Sequence, residues 1–204
     1  MHSCTEGRTA ALSQCAFTCS SGSEYKVGNT KFDGDLEEPQ VLIETLTKVG
    51  LVVTIESVQF PGVFLRMDGG SVTSFNGAGA GTVNCQYGAG PYEMFVLRAY
   101  SGDQFSIESL QFPGAFLRMD GGSVKRATST GSGTVNAQFT AGPYERFAVR
   151  QVSGGQYSFE SVQFPGVFMR MDGSSVTKPN GGGSGTVNCQ LGVGPWELFY
   201  IHVI

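Results

Sequence analysis

Apolar and polar positions alternate along most of this chain in short runs, each bounded by Gly, Pro, Asp or Ser. In Val63-Phe64-Leu65-Arg66-Met67 the period is two, which places Val63, Leu65 and Met67 on one face of a strand and Phe64 and Arg66 on the other. The same reading predicts four strands between residues 50 and 101: Val52 to Phe60, Val63 to Met67, Thr82 to Gln86 and Glu93 to Tyr100. Pro61-Gly62 supplies the first connection, Asp68-Gly69-Gly70 a tight turn, and Gly88-Ala89-Gly90-Pro91 the third. Ser101-Gly102 leads onward, and no helical period occurs in this part of the chain.

The pattern then repeats. IESVQFPGVFLRMDGGSV, IESLQFPGAFLRMDGGSV and FESVQFPGVFMRMDGSSV begin at Ile55, Ile107 and Phe159, two steps of 52 residues. GTVNCQYGAGPYEMF, GTVNAQFTAGPYERF and GTVNCQLGVGPWELF follow at the same step. Residues 50–204 are therefore a triplication (50–101, 102–153 and 154–204), and 1–49 stand outside it as an N-terminal extension. Three four-strand units make twelve strands. A propeller needs about four blades or more, so a closed threefold barrel, which removes exposed strand edges, is the economical arrangement.

At this point the sequence resembles a β-trefoil, six strands in a barrel capped by three hairpins. The phrases FSIESLQFPGAFLR from Phe105 and YSFESVQFPGVFMR from Tyr157 are similar to the repeated phrase of AbfB-type arabinose-binding domains. The family's histidine after Leu-Arg is replaced here by Met67, Met119 and Met171, and its aspartate has an approximate counterpart in Glu93, Glu145 and Glu197. Those family positions are implicated in holding the sugar. The string GVFLRMDGGSV is also similar to hairpins of fascin-like and fibroblast-growth-factor-like trefoils.

Composition narrows the function classes. Of 204 residues 30 are Gly, about twice the usual share, yet 40% are hydrophobic, so glycine serves turns in a folded protein rather than a disordered polymer. With 13 Lys plus Arg against 17 Asp plus Glu, the chain lacks the footprint of a nucleic-acid binder, and no apolar run is long enough for a membrane span. Five Cys, an odd number, argue against a disulfide framework. The first twenty residues do not read as a signal peptide, which favours a cytoplasmic location.

Catalytic chemistry finds little support. His2 and His202 are the only histidines, and neither belongs to a repeated His-carboxylate or Ser-His pair. The threefold carboxylates lack the single asymmetric pair that glycosidase chemistry requires, so no catalytic residue, metal or cofactor is assigned. Sugar binding wants aromatic rings with planar amides and carboxylates. Each unit supplies that mixture: Asn84, Gln86, Tyr92 and Glu93, then Asn136, Gln138, Tyr144 and Glu145, then Asn188, Gln190, Trp196 and Glu197. The same residues also suit a structural role, amides holding backbone beside Gly-rich turns and aromatics plugging a barrel end.

Arg66, Arg118 and Arg170 either clamp a ligand or pair with Asp68, Asp120 and Asp172 or with Glu56, Glu108 and Glu160. Gln59, Gln111 and Gln163 suit turn capping, and Phe60, Phe112 and Phe164 the core or barrel rim. The loops 73–81, 125–133 and 177–185 diverge most between copies, suiting partner selection, and Lys125-Arg126 makes the second mildly basic. In the extension, Cys4, Cys15 and Cys19 with His2 lack the spacing of a compact zinc knuckle. Residues 20–35 read as an extended arm, and 37–49 as a short helix or an added strand. Two functions follow: a non-catalytic carbohydrate-binding, lectin-like module with up to three pseudo-equivalent sites, or a fascin-like scaffold whose loops and N-terminal arm dock on a filament or neighbouring subunit.

Overall fold

The computed structural model describes residues 50–101 and 103–204, and the backbone of 5–7, 14–18 and 24–28. The chain divides into two units, Met1–Asp35 and Leu36–Ile204. In the first, β1 (Thr5–Gly7), β2 (Gln14–Thr18) and β3 (Glu24–Gly28) form an antiparallel sheet in that order. The side chains of His2, Cys4, Cys15 and Cys19, where no compact zinc knuckle was expected, the arm over 20–35 and the element over 37–49 lie outside the described residues apart from these strand backbones.

The second unit is built from the triplicated sequence. Its strands are β4 (Leu51–Ser57), β5 (Val63–Asp68), β6 (Thr82–Tyr87) and β7 (Phe95–Ala99) in the first repeat. The second repeat holds β8 (Gln104–Ser109), β9 (Ala115–Asp120), β10 (Gly133–Phe139) and β11 (Phe147–Ser153). The third holds β12 (Gln156–Ser161), β13 (Val167–Asp172), β14 (Gly185–Leu191) and β15 (Phe199–Val203). Strand β4 pairs with β7, β7 with β8, β8 with β11, β11 with β12, β12 with β15, and β15 returns to β4. The remaining strands form the hairpins β5–β6, β9–β10 and β13–β14.

The twelve strands expected in residues 50–204 are present, but the expected arrangement, a six-stranded trefoil barrel capped by three hairpins, needs correction in three respects. First, the hairpins are not separate caps. Pairings β14–β6 and β10–β14 and the bridge Gly81–Ala137 join the hairpins to one another, and β4–β5, β8–β9 and β12–β13 join them to the barrel, so that all twelve strands form one hydrogen-bonded sheet. Glycine permits this approach: a Cβ on Gly185 would lie 2.7 Å from the Asp172 carbonyl oxygen and collide with Cys85. Second, the N-terminal sheet raises the described strands to fifteen in two sheets. Third, strands are not the only elements. Pro91–Glu93, Pro143–Glu145 and Pro195–Glu197 form one-turn 3-10 helices where the fourth strands were expected to begin. Proline pre-sets φ for such a turn, and the Glu93 carboxylate accepts the Gly90 N–H at 2.7 Å.

The core follows the alternation. Val63, Leu65 and Met67 are buried, and Met119 and Met171 join them, so the methionines that stand in place of the family's histidine are core residues. Phe95, Phe147 and Phe199 form another fully buried threefold set. Each such ring contributes about 2–3 kcal/mol of burial. Phe60, Phe112 and Phe164 pack partly buried against this core. Their turns are held by Ser57 and Glu56 rather than by Gln59: Ser57 Oγ accepts the Phe60 N–H (3.2 Å) and Glu56 Oε1 the Gly62 N–H (2.6 Å). Among the described residues no helix is long and apolar enough to cross a membrane.

Candidate functional site

Hairpin register places the first repeat's site residues together. Arg66 on β5 lies opposite Asn84 on β6, and Phe64 opposite Gln86, all on the face turned away from Leu65 and Cys85. The 3-10 turn then brings Tyr92 and Glu93 against Arg66. The guanidinium carbon sits 4.6 Å from the Tyr92 ring centroid, and Nε lies 3.7 Å from Glu93 Oε1. Nη2 is 3.7 Å from Asp68 Oδ2. Arg118 with Tyr144, Glu145 and Asp120, and Arg170 with Trp196, Glu197 and Asp172, repeat the arrangement. Arg66 is thus off the core face as expected, and buried all the same.

Each aromatic ring has a second task. Tyr92 meets Phe112 edge-on at 5.2 Å, Tyr144 meets Phe164 at 5.3 Å, and Trp196 meets Phe60 at 5.5 Å. These contacts tie every repeat to the next around the ring, as T-shaped pairs do. One face of each ring is occupied by the guanidinium, so the rings are set into the wall of the site.

The divergent Gly-rich loops cover the sites of other repeats. Loop 177–185 lies over the first: Arg66 Nη2 donates to the Gly181 carbonyl (3.0 Å) and Asn84 Nδ2 to that of Gly182 (2.7 Å). Loop 73–81 lies over the second, where Asn136 donates to Ala78 O (2.7 Å). Loop 125–133 lies over the third, where Arg170 donates to Ser129 O and Thr130 O and Asn188 to Thr130 O. Asparagines shape two of these roofs, Asn76 Oδ1 accepting from Ala78 N and Gly79 N, and Asn180 Oδ1 from Gly182 N and Gly183 N. The sequence reading assigned the loops a role in selection but missed that each closes on another repeat. The one available signal was the triplicated Gly79, Gly131 and Gly183, where a Cβ would collide with the amides of Asn136, Asn188 and Asn84.

At these sites several buried polar atoms lack a hydrogen-bond partner. Asn84, Asn136 and Asn188 each leave Oδ1 unpaired and buried. Gln86 Oε1 and Gln190 Oε1 are likewise unpaired, as are Glu93 Oε1 and Arg66 Nε. Such a group costs about 1–3 kcal/mol unless something meets it.

Electrostatically the sites are tuned by burial. Glu93, Glu145 and Glu197 are at most 2% exposed, and burial raises their carboxyl pKa values against the opposing pull of a backbone N–H and the neighbouring Arg. Burial lowers the Arg170 pKa, opposed by Asp172 and Glu197. The Cys85 and Cys189 thiols are pushed up to about 12 by burial and by nearby aspartates, which keeps them protonated. Glu56, Glu108 and Glu160 do not pair with the site arginines. They meet His202 (2.6 Å), Arg98 (2.7 Å) and Arg150 (3.3 Å), which occupy equivalent positions on β15, β7 and β11. Among the described residues no group of His, Cys, Asp and Glu is placed to hold a metal ion.

No family model matches the chain. Alpha-L-arabinofuranosidase 43 of Humicola insolens is 36% identical over 84 residues, 39% of this chain, and the chain spans 16% of that relative's length. A designed 3-fold symmetric protein, ThreeFoil, is similar in structure at TM-score 0.56 and 14% identity, over 75% of this chain and 99% of its own. A Polyporus squamosus lectin solved with a Neu5Aca2-6Galb1-4GlcNAc epitope aligns at TM-score 0.53 and 12% identity, over 76% of this chain and 49% of its own. The exo-beta-1,3-galactanase 1,3Gal43A from Clostridium thermocellum aligns at TM-score 0.56 and 12% identity, over 78% and 31%. At these identities the structural likeness concerns the fold. The triplicated unit shares its fold with the designed 3-fold symmetric protein and with part of the lectin chain.

Proposed function

We propose that this chain is a non-catalytic carbohydrate-binding module with up to three pseudo-equivalent sites, each formed by one repeat and roofed by the Gly-rich loop of another. The observation that carries this reading is the recurrence, in all three repeats, of a buried Asn oxygen without a protein partner beneath a loop of small residues. A sugar hydroxyl supplies the hydrogen such an oxygen lacks. The partial likeness to an arabinofuranosidase and the fold shared with a lectin support the same class of ligand.

The residues of the sites speak against catalysis. The described thiols are held protonated, and the carboxylates recur as three like clusters, each neutralised in part by a buried Arg. None supplies one acid and one base across an open cleft. The test is retention on immobilised arabinan, galactan and sialylated glycans. We expect saturable retention on at least one, without release of reducing ends, and its loss in the Asn84→Ala/Asn136→Ala/Asn188→Ala variant checked for native circular dichroism. Retention on none of them refutes the binding role; released sugar abolished by a single carboxylate substitution refutes the non-catalytic one.

A further inference from the structure

The three sites are alike in sequence and unlike in geometry. In the first and third repeats the buried Arg holds the roof, Arg66 through Gly181 O and Arg170 through Ser129 O and Thr130 O. In the second, Arg118 makes no such bond among the described residues and closes on Asp120 at 3.1 Å, against 3.7 Å for both Arg66–Asp68 and Arg170–Asp172. Gln138 takes over the roof there. Its Oε1 accepts from Asn76 N (3.4 Å) and Phe139 N (3.2 Å), and its side chain is drawn in until the residue is 1% exposed. Gln86 and Gln190 stay half-buried, and Gln190 Nε2 donates to Glu197 (2.8 Å), which leaves its oxygen unspent.

The consequence is a different set of vacant valences. The first site presents two unpaired amide oxygens, Asn84 Oδ1 and Gln86 Oε1, and the third presents Asn188 Oδ1 and Gln190 Oε1. These residues are two apart on one strand and so share a face. The second site presents one oxygen, Asn136 Oδ1, and one donor, Gln138 Nε2. Paired acceptors match a ligand with paired hydroxyl donors; an acceptor beside a donor does not.

We propose that the first and third sites take ligand and the second does not, so that the chain binds two equivalents of a sugar through a pair of neighbouring hydroxyls. This rests on the carbohydrate reading above and deepens it. Gln86 and Gln190 set the competence of their sites, and Gln138, committed to the roof, closes the second. The ligand enters the two competent sites by lifting Gly183 off Asn84 and Gly131 off Asn188 and taking the place of the roof carbonyls on Arg66 and Arg170, main-chain oxygens that a sugar oxygen can replace as acceptors.

Trp196 is the chain's single tryptophan and lies in the third site, so its fluorescence reports that site alone while calorimetry counts all of them. Arabinotriose and β-1,3-galactotriose serve as probes on the full chain. The wild type is expected to bind two equivalents of one of them, with a change in Trp196 emission. Gln86→Leu leaves one equivalent and keeps the emission change; Gln190→Leu leaves one and abolishes it; Gln138→Leu leaves two. A wild-type stoichiometry of one or three overturns the proposal without recourse to any variant, as does loss of an equivalent in a Gln138→Leu protein that melts normally. Absence of heat and emission change with both probes, joined to retention on no immobilised glycan, removes the carbohydrate reading itself.

Discussion

Gly77 and Gly79 lie two residues apart in the first loop with nearly the same backbone, φ +77° and +82°, and very different surroundings. A Cβ on Gly77 would meet nothing within 4 Å, whereas one on Gly79 would lie 2.6 Å from Asn136 Cγ and be driven into its amide. Gly77→Ala therefore carries only the left-handed backbone cost, about 1–2 kcal/mol. Gly79→Ala carries the same cost and must also expel Asn136, breaking its 2.7 Å hydrogen bond to Ala78 O. That bond adds about 0.5–1.5 kcal/mol. For a domain of this size the extra destabilisation lowers the melting temperature by about 2–4 °C per kcal/mol. Scanning calorimetry with urea titration should place Gly79→Ala below Gly77→Ala by about 1–6 °C, the range these contributions span. Adding Asn136→Ala should shrink the difference, because the clash then has no partner. Equal melting temperatures for the two glycine variants would refute the claim that loop 73–81 is latched to the second repeat.

Other perturbations probe the clusters and the barrel seam. Because Glu93, Glu145 and Glu197 have carboxyl pKa values raised on folding, their protonation favours the folded state. Their contribution is complete below the ordinary value of 4.5 and is lost as the pH rises toward the folded one. Subtracting the melting profile of the Glu93→Gln/Glu145→Gln/Glu197→Gln variant from that of wild type should leave a difference that grows in favour of wild type as the pH falls from 7 to 4.5, and a flat difference contradicts the assigned cause. Arg170→Leu strands Glu197 in a buried site and should cost about 3–5 kcal/mol in urea unfolding, part of it recovered in Arg170→Leu/Glu197→Leu. No recovery would mean that Glu197 is not the stranded group. His202 closes the seam between β15 and β4 where the other repeats use Arg98 and Arg150. His202→Arg should therefore raise stability at pH 8 by about 0.5 kcal/mol, read as a small rise in melting temperature, and a fall would show that its contacts with Phe64 and Tyr200 matter more.

Features that depend on near neighbours along the chain were legible before any fold was known. Period-two alternation put Leu65 and Met67 in the core, since a pleated strand with one buried face admits no other register. The Asp-Gly and Pro-Gly turns, and the 52-residue step, could be read because turn chemistry and repetition are local. Asn84, Gln86, Tyr92 and Glu93 come together because hairpin register and one short turn suffice to place them beside Arg66.

Contacts between distant segments account for the rest. Arg66 lies on the outward side of its strand, yet it is buried because a ring from the following turn and a loop 115 residues away cover it. The carboxylates of Glu56, Glu108 and Glu160 found their cations on a neighbouring barrel strand and not on their own hairpin. The hairpins fused into one sheet because glycines from one repeat rest on side chains of another. The unequal state of Gln86, Gln138 and Gln190, identical in sequence, is set by which roof atoms reach each of them. Those atoms are brought in by closure of the ring, a long-range event that leaves no period in the sequence.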